Sequence, residues 1–146
     1  MKLFFNIEYS YYKANSLYRH NHKKFASIIM NLTNIIHASD IDYRAIIGKN
    51  VHFGHRGLGV VIHKDVKIGD NCHIMHGVTI GGKAGANSGV PIIHDNVFIG
   101  INAILLGNIK VLNNSKIGAH AVVLTDVKEN SLVVGIPAKM KNESEV

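Results

Sequence analysis

The fold is decided by residues 93–127, which read IHDNVFIGINAILLGNIKVLNNSKIGAHAVVLTDV. An aliphatic residue recurs every six positions here, and a small or apolar residue follows four positions after each one. The two series are Ile93, Ile99, Leu105, Val111, Ile117, Val123 and Val97, Ala103, Ile109, Ser115, Ala121, Val127. A period of six fits neither a helix nor simple strand alternation, so it indicates a short strand and a turn, repeated.

The same rhythm extends upstream, with turn residues such as Gly69-Asp70-Asn71 between the aliphatic positions. The upstream positions are Ile41, Ile47, Phe53, Ile62, Ile68, Ile74, Ile80, with Ala45, Val51, Gly57, Val66, Cys72, Val78 as the second series. Three such units make one triangular coil, and stacked coils bury their inward aliphatic residues in a continuous core. The sequence therefore predicts a mainly β chain, a parallel β-helix of hexapeptide repeats over residues 39–140.

The register breaks twice. The step from Phe53 to Ile62 is nine residues, and the step from Ile80 to Ile93 is thirteen. The second insertion is rich in glycine, which predicts a loop over residues 81–92. Insertions in repeat proteins map to surface loops, often on the binding face, so both breaks are candidate functional positions.

Residues 1–38 lack the six-residue period and form a predicted N-terminal helical segment. Apolar residues in 22–36 recur at the spacing of an amphipathic helix. Residues 7–19 are rich in tyrosine and are a second helical candidate. The polar residues 141–146 are predicted to form a flexible tail.

Composition indicates the cellular compartment of the protein and the charge of its partners. The single cysteine excludes an internal disulfide, and Cys72 occupies an inward repeat position, so we interpret it as a core residue. No run of about 18 apolar residues and no signal sequence is present, which predicts a cytoplasmic protein without membrane insertion. The net charge of +6 favours anionic partners: nucleic acid, anionic lipid or a phosphorylated cofactor. The most basic run is residues 19–24, and it lacks the interleaved aromatics of a nucleic-acid site.

The segment from Asp40 to Lys139 resembles the serine acetyltransferase-like branch of the hexapeptide-repeat acyltransferases. Its most specific stretches are residues 54–62, GHRGLGVVI, and residues 77–82, GVTIGG, followed by residues 135–139, GIPAK. The resemblance implies a left-handed β-helix, acetyl transfer from acetyl-CoA to a hydroxyl, and a homotrimer with active sites between neighbouring subunits.

The resemblance also implies roles for individual residues. The general base falls on His55, and the carboxylate that orients it falls on Asp40, fifteen residues upstream, with Asp42 as a rival. Substrate contacts fall on Gly54, Arg56 and His76. Implied acetyl-CoA contacts are Gly81, Gly82, Lys83, Ala103, Ala121 and Lys139. Backbone N–H groups near Gly82 are expected to stabilise the oxyanion.

Two departures from the branch bear on the acceptor. Serine acetyltransferases carry an aspartate where this chain has Gly54, and Asp-Arg-His where it has Ser88-Gly89-Val90 before the loop proline. Those groups hold the charges of serine, so their loss favours a sugar of a capsule or other surface polysaccharide. The alternatives are a serine O-acetyltransferase and a non-catalytic β-helix scaffold subunit. The shortened helical segment favours a lone trimer.

Five histidines lie close together in the sequence: His52, His55, His63, His73 and His76. A zinc site needs convergent ligands, and no helical His-x-x-x-His pair or cysteine pair accompanies them. No metal is therefore expected.

Overall fold

The structure is a computed structural model that describes residues 2–85 and 88–141. It is the predicted parallel β-helix of hexapeptide repeats, with a helical segment at its N-terminal end. The helices are α1 (Lys2–Phe5), α2 (Ile7–Arg19) and α3 (Lys23–His37). The Tyr-rich candidate at 7–19 is therefore a helix, and the amphipathic helix predicted at 22–36 is displaced by one residue.

Short parallel strands form the three faces of the prism. Face 1 contains β1 (Asp40–Ile41), β4 (Val61–Ile62), β7 (Thr79–Gly81), β10 (Ile104–Leu106) and β13 (Val122–Val123). Face 2 contains β2 (Ile46–Ile47), β5 (Lys67–Ile68), β8 (Ile92–Ile93) and β11 (Lys110–Val111). Face 3 contains β3 (His52–Phe53), β6 (His73–Ile74), β9 (Phe98–Ile99), β12 (Lys116–Ile117), β14 (Leu132–Val134) and β15 (Lys139–Lys141).

Both periodic series point inward, as predicted. Every aliphatic position from Ile41 to Val123 is buried, and so is every position of the second series, Cys72 included. Strands of successive coils are in register, so that Ile62 pairs with Ile80 and Ile80 with Leu105. Identical core positions therefore stack directly on one another along the axis, which is the packing that the six-residue period requires.

The turn between faces 2 and 3 needs a residue in the left-handed backbone region. Asparagine fills this position in successive coils, with positive φ at Asn50, Asn71, Asn96, Asn114 and Asn130. Asparagine tolerates this conformation better than most residues. Its side chains also bond between coils, as from Asn50 Nδ2 to Asn71 Oδ1 at 3.2 Å.

The helical segment caps the open edge of the first coil. The Tyr11 hydroxyl donates to the carbonyl of Ala45 and accepts from the N–H of Ile47, 3.1 Å away. Asn15 Nδ2 donates to the Tyr43 carbonyl, and the Glu8 carboxylate accepts from the Phe53 N–H at 3.0 Å. These side chains satisfy backbone groups that would pair with another strand if the coil continued.

Helix α3 packs with the face opposite to the one expected from its pattern. The residues it buries are Ala26, Met30, Thr33 and His37. The apolar residues of its periodic pattern point outward; the exposed ones are Phe25, Ile28, Leu32, Ile35 and Ile36. The cap needs polar partners such as Asn34, whose side chain bonds both backbone groups of Ile41, and this fixes the rotation of the helix.

The C-terminal end departs from the predicted boundaries. Strand β15 runs antiparallel to β14 and pairs Lys141 with Leu132, so the predicted flexible tail does not include Lys141; residues 142–146 lie outside the described residues. The predicted loop 81–92 is shorter than expected at both ends, because Gly81 belongs to β7 and Ile92 to β8.

We expect Tyr11→Phe to lower the free energy of unfolding by about 1–3 kcal/mol, because it leaves the buried backbone groups of Ala45 and Ile47 without their partner. Urea denaturation measures this, and Tyr9→Phe, at a half-exposed position, is the matched control with an expected change below about 0.5 kcal/mol.

The same variant has a pH signature. Burial raises the pKa of the Tyr11 hydroxyl above its ordinary value of 10.0. The protonated hydroxyl is therefore favoured by the folded state, and its contribution is complete below pH 10 and declines as the pH rises further. The stability gap between wild type and Tyr11→Phe should shrink above pH 10; a gap that widens there would contradict the assigned contact.

Candidate active site

The nine-residue step from Phe53 to Ile62 contains a tight turn, Gly54–Gly57, between β3 and β4. His55 and Arg56 both have left-handed backbone angles, with φ of 51° and 60°. This conformation costs roughly 1–2 kcal/mol for a residue with a side chain, and such strain concentrates at functional sites. The turn exposes both side chains at the corner where face 3 meets face 1.

Two imidazoles meet at this corner. The rings of His55 and His76 lie 4.8 Å apart between centroids, at an interplanar angle of 85°. His76 is half-buried, and its Nδ1 is buried without a hydrogen-bond partner among the described residues. We call His55, Arg56 and His76 the histidine corner. The structure thus brings together three of the residues singled out in the sequence, beside buried Gly54.

A small pocket opens beside His55. Its walls come from the helical segment as well as from the turn: Phe5, Ile36, His37, His55, Arg56 and Leu58. Sequence reasoning missed the helical contribution, because hydrophobic spacing does not show which side of α3 meets the β-helix. The pocket therefore combines three apolar side chains with two imidazoles and a guanidinium.

Asp40 begins β1 one coil below the turn, at the same corner, and its N–H donates to the Val60 carbonyl. The described residues show no ion pair or hydrogen bond between its carboxylate and His55. Asp40 instead lines a separate groove on face 1 with His63, Lys64 and Gly81. The two residues share a corner, but the predicted pairing is not formed in this structure.

The rival carboxylate is already engaged. Arg44 donates to Asp42 from its backbone N–H at 2.8 Å and from Nε at 2.9 Å. Burial alone would raise the pKa of the Asp42 carboxyl, but the hydrogen bonds from Arg44 outweigh it and the pKa lies below its ordinary value. An Asp42 committed to Arg44 is a poor partner for His55, which favours Asp40.

Gly81 and Gly82 lie at the other end of face 1, where it meets face 2. Neither has a positive φ, and an added Cβ would meet only ordinary contacts, with Leu106 at 3.6 Å and the Gly89 carbonyl at 3.5 Å. The fold itself therefore does not require glycine at these two positions. Lys83 follows in an exposed bridge to Gly89 at the base of the loop.

The two predicted alanines lie on the inside of the corner where face 3 meets face 1. Ala103 and Ala121 are fully buried, and their N–H groups donate to the carbonyls of Gly100 and Gly118. Their carbonyls accept from the neighbouring coil. Small side chains at these positions fill the inside of the corner, and the contact of the two alanines with acetyl-CoA stays a prediction.

A groove on face 3 was not foreseen. It lies above the histidine corner and is lined mainly by apolar groups: Met75, Phe98, Gly100, Ile101, Lys116, Ile117, Gly118, Ala119 and Leu132. Lys139 is exposed on β15 at the far end of the same corner. Five strand spacings of roughly 4.8 Å separate β3 from β15, so the corner runs about 24 Å from His55 to Lys139. Lys83 lies at a different corner.

The described residues contain no cluster of three or more histidine, cysteine or carboxylate groups able to hold a metal. Nor does any helix in residues 2–85 or 88–141 have the length and apolar character needed to cross a membrane.

Comparison with known proteins assigns the repeat. Residues 91–125 match the family model described as bacterial transferase hexapeptide (six repeats). Over these residues the β-helix is similar to the hexapeptide repeat of the bacterial transferases.

More particular relatives are serine acetyltransferases. The chain is 42% identical to the serine acetyltransferase of Staphylococcus aureus over 142 residues, which cover 94% of this chain and 65% of the relative. It is 41% identical to that of Staphylococcus epidermidis over 131 residues, which cover 88% and 61%. The chain thus spans under two-thirds of these relatives.

Solved structures of serine acetyltransferases are similar to this chain as well. The crystal structure of Neisseria gonorrhoeae serine acetyltransferase superposes with a TM-score of 0.84 at 36% identity, covering 93% of this chain and 52% of that one. Soybean serine acetyltransferase complexed with serine gives 0.85 at 36% identity, covering 92% and 56%. These relatives are named for serine, so the expected closeness to polysaccharide O-acetyltransferases is not supported.

We expect Arg44→Ala to raise the pKa of the Asp42 carboxyl, because it removes the hydrogen bonds that outweigh burial. NMR titration of the carboxyl group measures this pKa. The control is Lys64→Ala, because Lys64 lines the same groove but pairs with Asp65 and not with Asp42. A carboxyl with a depressed pKa stabilises the fold above its ordinary value and loses that effect as the pH falls. The stability difference, below about 1 kcal/mol for so exposed an arginine, should shrink between pH 7 and pH 3.

Proposed function

We propose that this chain is an acetyl-CoA-dependent O-acetyltransferase whose acceptor is the hydroxyl of serine. The observation that carries the proposal is His55, an exposed imidazole held by a strained turn against a second imidazole, in a chain 41–42% identical to serine acetyltransferases. A neutral imidazole is the side chain best suited to accept a proton from an alcohol at neutral pH.

The reaction is a direct transfer. His55 removes the proton of the acceptor hydroxyl as its oxygen attacks the thioester carbonyl of acetyl-CoA. The tetrahedral intermediate collapses when the C–S bond breaks, and the imidazolium of His55 returns the proton to the leaving thiolate. Buried Cys72 has no role, because it lies in the core. Asp40 orients His55 and stabilises its charged form once substrates close the corner.

The pocket supplies one charge that serine needs. Arg56 stands beside His55 in the same pocket and is able to pair with the carboxylate of an amino acid. Gly54 leaves the position of the missing aspartate empty of side chain: a Cβ there would lie 2.8 Å from the Met75 sulfur. The flexible thioether is able to move, but the backbone Cα of Met75 would lie only 3.3 Å away, so a larger residue at this position needs a small shift of the backbone.

Acetyl-CoA fits the long corner. The apolar groove on face 3 suits the pantetheine arm, with its thioester at the histidine corner and a phosphate near Lys139. Gly81 and Gly82, whose lack of a side chain the fold does not explain, suit close approach of the same arm from a second chain. Within one chain they stand at the opposite end of face 1 from His55. A complete site therefore needs a neighbouring copy, which supports the homotrimer.

A second acceptor class has one specific observation in its favour. Uncharged residues stand at Gly54 and at 88–90, where the resembled enzymes carry charged groups. An acceptor without an ammonium group, such as a sugar hydroxyl, is therefore the second candidate. Thiol release from acetyl-CoA, measured with L-serine and with a panel of sugars, separates the two.

We expect His55→Ala to lower kcat for L-serine at least about 100-fold, because it removes the general base. Asp40→Asn should lower kcat about tenfold or more, whereas Asp65→Asn, at an exposed carboxylate paired with Lys64, should leave it within about threefold. Asp42→Asn decides between the rivals: a larger loss than that of Asp40→Asn would make Asp42 the orienting group. Unchanged thiol release in His55→Ala would refute the proposal, and no release with any acceptor would favour the scaffold alternative.

We expect Gly82→Ala to leave the free energy of unfolding within about 0.5 kcal/mol, because the added methyl meets only ordinary contacts. If the pantetheine arm approaches the protein backbone at Gly82, the same methyl should raise the Kd for CoA about tenfold, as measured by calorimetry. Ala84→Ser, an exposed change two residues along the loop, is the control. Unchanged CoA affinity in Gly82→Ala would remove Gly82 from the proposed site.

A further inference from the structure

The outward side of α3 carries an apolar surface that the proposed transferase chemistry does not use. We call it the α3 patch: Phe25, Ile28, Leu32, Ile35 and Ile36. Their exposed fractions run from 45% for Leu32 to 76% for Ile35. Large aliphatic side chains contiguous on one helix are rarely left in water, and such patches mark sites of interaction.

The helical segment accounts for most of the net positive charge of the protein. Residues 1–38 contain five lysine or arginine residues and one acidic residue, a balance of +4 out of +6 for the whole chain. The acidic residue, Glu8, is turned towards the β-helix, where it accepts from the Phe53 N–H. Arg19, Lys23 and Lys24 are exposed at the turn that leads into α3, and we call them the cationic turn.

We propose that the α3 patch and the cationic turn dock this protein on the surface of an anionic lipid bilayer. A helix with a continuous apolar face and flanking lysines lies in the plane of the interface, with its apolar side chains among the acyl chains. Each lysine or arginine near an anionic surface adds to the attraction. No helix among the described residues is able to span the bilayer, so the contact is peripheral.

The charge distribution favours lipid over a second copy of the chain. Two copies that met through the α3 patch would bring together two segments of +4 each, and like charges at an interface oppose association. Anionic headgroups neutralise the same charges. The +4 segment and the patch belong to one helical hairpin, so one surface satisfies both.

Docking would place the histidine corner at the lipid surface. Ile36 belongs to the α3 patch and also lines the pocket beside His55, together with Phe5, whose side chain is 60% exposed. The docking itself is independent of acetyl transfer and is tested without it.

The experiment is co-sedimentation of the full chain with vesicles of phosphatidylglycerol and phosphatidylcholine, and with vesicles of phosphatidylcholine alone. We expect binding to the anionic vesicles that weakens as salt is raised. Lys23→Glu/Lys24→Glu should weaken it at least tenfold, and Ile28→Ser/Ile35→Ser at least fivefold. The control, Lys110→Glu/Lys128→Glu, makes the same change in net charge on the β-helix and should bind within about twofold of wild type.

Three results overturn the proposal. The first is equal sedimentation with and without anionic vesicles. The second is an equal loss in the control variant, which would show a response to net charge alone. The third is a change in oligomer size for Ile28→Ser/Ile35→Ser, seen by sedimentation velocity, with vesicle binding intact; the α3 patch would then join copies of the chain. Thermal melts confirm folding, which substitutions at exposed positions should leave unchanged.

Discussion

The structure depends on the in-register pairing of each coil with the next. Parallel backbone hydrogen bonds join strands about 4.8 Å apart, and they hold equivalent side chains directly above one another. An inward side chain is therefore well packed only if the equivalent residue of the next coil is also apolar and fits in the stack above it. This requirement produces the six-residue period, and it confines irregular sequence to the corners, where an insertion leaves the stack intact.

That constraint explains how much the sequence could predict. Every position of the two periodic series is buried, because burial in a stack leaves a strict period, whereas Val60, inside the nine-residue step, is a core residue outside both series. The rotation of α3 could not be predicted. Its hydrophobic pattern identified an apolar face, but polar contacts such as Asn34 to Ile41 decide which side meets the β-helix, and a pattern of hydrophobicity does not register such contacts.

The candidate site was predictable only in part. The motif located His55, Arg56 and His76, which the structure places together. Periodicity could not reveal that Asp40 and His55 would share a corner without touching, or that Arg44 would engage Asp42, because these depend on side-chain rotamers. The groove on face 3 has no local signal either, since its lining residues come from four successive coils.

Both ends of the prism are closed. Tyr11, Asn15 and Glu8 occupy the backbone groups of the first coil, and an antiparallel strand covers part of the last. A solenoid with bare ends would extend by stacking on another, as fibrils do. Covered coil edges disfavour such stacking, which leaves the faces and corners as the surfaces through which the proposed homotrimer would assemble. The caps thus do more than stabilise the fold: in that trimer they would leave the histidine corner of one copy free to meet the glycine pair of another.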